Sequence, residues 1–172
     1  DVVKVQGNDF SKIQGRFDTK LSLSSSDIDE VIKKRILDKT EEAKESLKMI
    51  YDKEESIIRN LLTFKNATYQ KVYDGANDFA ETYPFIPYQF KLLQDVFTDI
   101  RKHGYAGKHL SSGERSLLGA FQETAKRYGN DEVGTIIPFY AFYDTIEQFL
   151  EHQVKIVINN AIDTVKSGTL KE

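Results

Sequence analysis

Residues 40–64 read TEEAKESLKMIYDKEESIIRNLLTF, and this stretch decides the fold class. Its apolar residues recur every three or four positions, and acidic and basic residues occupy most of the positions between them. That spacing is typical of an amphipathic α-helix with a solvated face of mixed charge. The period alone leaves open whether Lys39 separates this helix from the preceding one or lies inside one long rod.

Helical spacing also appears on both sides of this stretch. The predicted helices cover about residues 26–36, 67–83, 88–103, 111–128 and 138–167. Prolines at 84 and 87, glycines at 104 and 107 and a loop over 129–134 separate them. The sequence therefore predicts a mainly α fold: a helical bundle with a long helical hairpin or rod.

The first 25 residues follow a different pattern. Short alternating segments at 1–6 and 20–24 favour strands or extended arms, which cannot form a sheet without partners. The chain begins at Asp1 with neither a methionine nor a signal-peptide pattern. We therefore expect a short extended N-terminal segment, and we expect the chain to be part of a longer polypeptide.

Composition excludes several classes of protein. The chain has no cysteine, so disulfide frameworks, Cys-ligated zinc, iron–sulfur clusters and thiol catalysis are excluded. A net charge of −3 argues against general electrostatic capture of nucleic acid. No apolar run approaches the roughly 18–20 residues that span a bilayer. We expect a cytoplasmic protein with no membrane contact.

The sequence contains no complete active site. It lacks the Gly-x-x-x-x-Gly-Lys-Ser/Thr loop that holds nucleotide phosphates, and it lacks a His-Glu-x-x-His zinc motif. Its histidines, His103, His109 and His152, are scattered, and its carboxylates lie among lysines at helix-surface spacing. We expect that this chain alone is not an enzyme and holds no metal.

One motif near the N-terminus contains a candidate functional arginine. IQGRFD at residues 13–18 is followed by LSL at 21–23 and by a helix that ends in RIL at 35–37. This order resembles a stretch of AAA+ ATPases in which the arginine lies at a subunit interface. The resemblance implies that Arg16 reaches a neighbour's nucleotide, where a guanidinium stabilises phosphate charge. The residues alone also allow Arg16 to pair with Asp18 in a turn.

Further motifs occur in a fixed order: YPFIPYQF at 83–90, HLSSGERSLL at 109–118, IIPFY at 136–140 and YD at 143–144. Together they resemble the BREX phage-defence P-loop ATPase family, and the resemblance covers most of the chain. It implies that the first of these motifs opens a helical lid. It also implies that Arg115 contacts nucleotide as a second sensor.

Two interpretations of Ser111 stay open. LSSGER at 110–115 is also similar to the signature motif of ABC-type and SMC-type ATPases, where a serine and a helix N-terminus face a γ-phosphate. Those families place adjacent acids behind the next apolar run, and the run at 134–140 has none. Ser111 and Glu114 equally form a capping box, which would only start a helix.

The resemblance implies three regions: the end of an AAA+-like core at 1–38, an elongated helical excursion at 39–83 and a lid-like bundle at 84–172. It implies part of an ATPase of bacterial phage defence that supplies an interface arginine and the lid. The parent protein would bind ATP and Mg²⁺, which this part alone would not. The implied partners are the remaining ATPase core, further copies of the parent and other defence-system proteins.

Two alternative functions fit the residues. A helical protein–protein interaction module would use the charged helix over 40–64. A DNA-binding helical domain would use the stretch from 101 to 127, which contains six basic and two acidic residues. Besides Arg115, the cations of that basic patch are Arg101, Lys102, Lys108, Lys126 and Arg127.

Overall fold

The computed structural model describes residues 25–64, 71–102 and 113–168. Within these ranges the chain is mainly α-helical and has no strand, as the spacing predicts. The helices are α1 (Ser25–Arg35), α2 (Glu41–Leu62), α3 (Ala76–Thr82), α4 (Pro87–Lys102), α5 (Gly113–Arg127), α6 (Tyr143–Glu147) and α7 (His152–Lys166), with a 3₁₀ turn at Phe139–Phe142. The predicted extended N-terminal segment lies outside the described residues.

Residues 36–40 are not helical, so α1 and α2 are two separate helices and not one long rod. The N–H groups of Ile36 and Leu37 both donate to the carbonyl of Ile32, at 2.9 and 3.1 Å, which closes the end of α1. Thr40 then caps α2, because its Oγ1 accepts from the Ala43 N–H at 3.2 Å. With 22 residues, α2 is about 33 Å long.

The predicted helix over 67–83 is wrong for residues 71–75, since within the described residues 71–83 the helix covers Ala76–Thr82. Gly75 precedes α3 with φ +88°, a left-handed conformation that glycine adopts readily. Before it, Tyr73 is buried in a non-helical segment and donates from Oη to the Phe85 carbonyl at 3.1 Å. The segment that contains Tyr73 is therefore not helical, and its ring is buried where the sequence predicted the first turns of a helix.

The predicted helix over 138–167 is also wrong, because the chain turns between α6 and α7. The N–H groups of Phe149 and Leu150 donate three residues back, to Ile146 at 2.9 Å and to Glu147 at 3.0 Å. Glu151 is extended and starts α7. Leu150, which lies in this turn, is buried in the hydrophobic core.

A first hydrophobic core joins α1 to α4, α5 and α6. At its centre the rings of Phe85, Phe121 and Phe142 lie 4.9 to 5.3 Å apart, and all three are fully buried. Ile32 of α1 and Leu37, which follows α1, belong to the same core. The described residues of the region at 84–172 thus pack around these aromatic residues, with α1 against them.

A second core lies between α2 and α3. Leu47, Tyr51 and Ile58 of α2 pack with the segment that contains Tyr73 and Phe79. Ile86 belongs to this second core, whereas its neighbour Phe85 belongs to the first. Residues 83–87 therefore form the junction at which the two cores meet.

We expect Phe121→Ala to lower the free energy of unfolding by about 3–5 kcal/mol, because it removes a fully buried ring from the first core. Urea denaturation measures this change. Tyr140→Ala is the control: this aromatic residue is 76% exposed and should change stability by no more than about 0.5 kcal/mol. Equal losses for the two variants would contradict the packing described here.

Candidate functional site

The predicted nucleotide-facing residues are only partly described. Arg16, Ser111 and Lys108 lie outside the described residues, as do His103 and His109. Arg115 lies in the first turn of α5, which begins at Gly113. Its position near a helix start agrees with the predicted helix over 111–128, while its proposed contact with nucleotide stays a prediction.

The side chain of Gln89, which is fully buried, holds the residues around the motif at 83–90. Its Oε1 accepts from the Ile86 N–H at 3.1 Å, and its Nε2 donates to the Ile137 carbonyl at 2.8 Å. One side-chain amide therefore joins the start of α4 to a loop 48 residues away.

Two more hydrogen bonds reinforce the same junction. The Ile137 N–H donates to the Pro84 carbonyl at 2.9 Å, and the Gly134 N–H donates to Tyr83 Oη at 2.9 Å. Since Leu117 of α5 packs in the first core with Phe85 and Ile137, residues from three of the motifs, at 83–90, 109–118 and 136–140, meet in one unit.

Part of the predicted basic patch is already paired. Arg127 forms an ion pair with Asp144 and donates from Nη2 to the Ala141 carbonyl at 3.0 Å. Lys126 lies 3.0 Å from Glu123. Arg101 and Lys102 are exposed in the last turn of α4. Sequence reasoning missed the pairing of Arg127, since Asp144 belongs to a different helix.

A cavity of about 290 Å³ lies beside the junction. Its walls come from the α1–α2 connection, the turn at 83–84 and the segment 125–135. Lys39 lines it and donates from Nζ to the Leu37 carbonyl at 2.6 Å. Burial lowers the pKa of Lys39 to about 8, although Asp38 and Glu81 act in the opposite direction. No sequence signal distinguished this lysine, because its burial comes from distant segments.

A second cavity, of about 450 Å³, lies between α1, the start of α2 and α3. Lysines and acids balance in its lining: Glu30, Lys33, Lys34, Asp38, Lys44 and Glu81. Lys33 lies 3.3 Å from Asp78 and 3.7 Å from Glu81, so it ties α1 to α3. This charge balance gives the cavity no preference for an anion or a cation.

No protein-family model matches the chain, and no solved structure is significantly similar to it. Across the described ranges, no group of three or more metal-ligating side chains could hold an ion. Among the described helices, none has both the length and the apolar character needed to cross a bilayer. The interpretation of the site therefore depends on its residues and their contacts.

We expect Gln89→Leu to cost about 2 kcal/mol of stability, because it leaves a buried N–H at Ile86 and a buried carbonyl at Ile137 without partners. Urea denaturation measures the loss. Gln122→Leu, at an exposed position of α5, is the matched control and should be nearly neutral. A neutral Gln89→Leu variant would mean that the amide does not hold the junction.

Lys39→Met should change the pH dependence of stability. With its pKa lowered to about 8, Lys39 loses its proton in the folded state while the unfolded chain keeps it up to about pH 10. The wild-type protein therefore gains stability relative to the variant as pH rises from 7 to 10. Urea denaturation of both proteins at these two pH values measures the difference. A difference that stays constant with pH would contradict the lowered pKa.

Proposed function

We propose that this chain is the helical, lid-type part of a P-loop ATPase of bacterial phage defence. In this proposal it supplies Arg16 and Arg115 to bound nucleotide and does not hydrolyse ATP by itself. The proposal rests on the motifs that resemble the BREX phage-defence P-loop ATPase family, and on the way the folded chain brings three of them together.

One observation supports the proposal most directly: residues of 83–90, of α5 and of 136–144 pack around the same aromatic centre. A lid that closes over nucleotide must move as one unit, since it has to carry a contacting side chain by a defined distance. The hydrogen bonds of Gln89 and the rings of Phe85, Phe121 and Phe142 supply that rigidity.

Arg115 and Arg127 lie at opposite ends of α5. Arg127 is bound to Asp144 and to the Ala141 carbonyl, so it stabilises the fold. Arg115 instead lies at the start of α5, two residues before Leu117, which is buried in the first core. Because Leu117 is buried so close in sequence, the backbone at Arg115 is held in place, and in this proposal its guanidinium reaches a phosphate from that position.

The nucleotide itself would be held elsewhere. A phosphate-binding loop and acidic residues that hold Mg²⁺ are missing from the sequence, so ATP and Mg²⁺ would bind to the remaining ATPase core. An arginine at a subunit interface acts on the nucleotide of a neighbouring copy, so we also propose a cytoplasmic homo-oligomer. Other defence-system proteins are its proposed partners.

A DNA-binding role receives less support from the described residues. Electrostatic binding of DNA depends on cations that are free to replace counterions at phosphates. Lys126 and Arg127 each contact a carboxylate, and they are two of the six cations between residues 101 and 127. The lid proposal does not depend on this patch.

The test uses the complete gene product that contains this sequence. We expect it to contain a phosphate-binding loop and to hydrolyse ATP. Arg16→Ala should lower kcat by about 10³-fold or more, as loss of an arginine finger does. Arg115→Ala should weaken nucleotide binding about tenfold, by loss of a charge-assisted contact. ATP turnover and fluorescent-nucleotide titration measure the two effects.

Arg59→Ala is the control for both variants, because Arg59 is exposed on α2 and pairs with Glu55. It should leave turnover and affinity unchanged. The proposal is wrong if the complete gene product has no phosphate-binding loop. It is also wrong if Arg16→Ala and Arg115→Ala behave like the control.

A further inference from the structure

The Lys39 side chain differs from the lysines of α1 and α2 in the groups that surround it. Each lysine of those two helices forms an ion pair with a carboxylate: Lys33, Lys34, Lys44, Lys48 and Lys53. Within the described residues Lys39 forms no ion pair, and its Nζ donates to the Leu37 carbonyl at 2.6 Å. The adjacent carboxylate of Asp38 accepts the backbone N–H of Lys39 at 3.0 Å. The amine is therefore held by a carbonyl and not by a counter-charge.

The position of this amine is fixed and still accessible to solvent. On either side of Lys39, Leu37 is buried in the first core and Thr40 caps α2. The half-buried side chain of Lys39 lines the cavity of about 290 Å³. Three other residues that line this cavity are exposed: Asp38, Asp131 and Val133. The amine is thus partly removed from water and remains within reach of a small solute.

These surroundings favour the neutral form of the amine. Burial lowers the pKa of Lys39 to about 8; Lys44 acts in the same direction, and Asp38 and Glu81 act in the opposite direction. The other titratable residues that line the cavity are Tyr83, Tyr128 and Asp131. At about pH 7.5 the neutral fraction of this amine is then roughly two hundred times that of an ordinary lysine. A desolvated, neutral lysine carries a lone pair and acts as a nucleophile.

We propose that Lys39 is a site of acylation, at which Nζ takes a short acyl group from an acyl phosphate or an acyl thioester. The lone pair of the amine attacks the acyl carbon. The bond from that carbon to the phosphate oxygen or to the thiol sulfur breaks, and the phosphate or thiolate leaves with the electron pair. The amine releases one proton to water, and the product is an amide. This inference goes beyond the proposed role in nucleotide hydrolysis, because it uses neither arginine of that proposal.

The surroundings of Lys39 suit the amide product. One N–H remains on Nζ after acylation, so the hydrogen bond to the Leu37 carbonyl can be kept. Acylation also removes the charge, whose burial is costly. The cavity has room for several water molecules and therefore for a short acyl group, and its apolar lining includes Ile36, Pro84 and Val133. The acyl group would lie beside the junction at which the two cores meet.

Acetylation of the 172-residue chain by acetyl phosphate at about pH 7.5 tests the site. Cleavage after glutamate releases residues 31–41, VIKKRILDKTE, which contain both Lys34 and Lys39, and mass spectrometry of this peptide locates the acetyl group. We expect Lys39 to react about tenfold faster than Lys34, because its larger neutral fraction outweighs the weaker nucleophilicity of a less basic amine. Exposure alone predicts the opposite order, since the side chain of Lys34 is 72% exposed.

Two further arms separate the effect of folding and the source of the acyl group. In urea, where burial is lost, Lys39 and Lys34 should react at similar rates. Acetyl-CoA in place of acetyl phosphate distinguishes the two donors. Preferential reaction of Lys39 with both donors extends the site to acyl thioesters and acyl phosphates alike, and reaction with one donor restricts it to that donor.

Thr135→Phe tests whether the cavity receives the acyl group. Thr135 is a half-buried residue of the lining, so a ring at this position reduces the volume and should slow acetylation of Lys39 severalfold without affecting Lys34. Thr98→Phe, at an exposed position of α4, is the matched control and should change neither rate. Circular dichroism confirms that both variants keep their helices before they are compared.

Three outcomes would overturn the proposal. The first is a folded chain in which Lys39 reacts no faster than Lys34 with either donor. The second is an excess reactivity of Lys39 that persists in urea, which would assign it to the neighbouring sequence. The third is a Thr135→Phe variant in which Lys39 reacts as in the wild-type chain, which would place the acyl group outside the cavity.

Discussion

The side-chain amide of Gln89 satisfies backbone groups in two segments that have no ladder or helix to hold them. It accepts from Ile86 and donates to Ile137, and both contacts are buried. Buried backbone groups without partners are costly, so these two segments keep their positions together. Because Phe85 and Ile86 belong to different cores, the same amide also determines how the two cores meet.

Periodicity predicted the helices whose apolar residues are buried along one face, such as α2, α4 and α5. It missed the turn between α6 and α7 because no glycine or proline occurs between residues 139 and 166, and the apolar spacing continues through Leu150. Apolar spacing reports which residues can be buried. The direction in which the chain turns to bury them depends on the core that receives Leu150.

The family resemblance implied only that the segments at 83–90 and 136–144 belong to one region, 84–172. The contacts between them were not predictable, since Gln89 carries no charge and its partners are backbone atoms. Arg127 looked like a surface cation because its partner Asp144 lies on another helix, and Lys39 acquired its lowered pKa from segments distant in sequence. The roles of Arg16 and Ser111 stay predictions, since both lie outside the described residues.

The helix α2, which carries the exposed apolar residues Ile57 and Leu61, is attached to the rest of the molecule at few points. α2 is about 33 Å long, whereas α3, the helix it packs against, has seven residues and is about 10 Å long. The α2–α3 unit contacts the first core at few points, among them the bond from Tyr73 Oη to Phe85 and the ion pair from Lys33 to Asp78. A movement of α2 would therefore reach the first core through residues 83–87, which Gln89 helps to hold in place, and through the ion pair between α1 and α3.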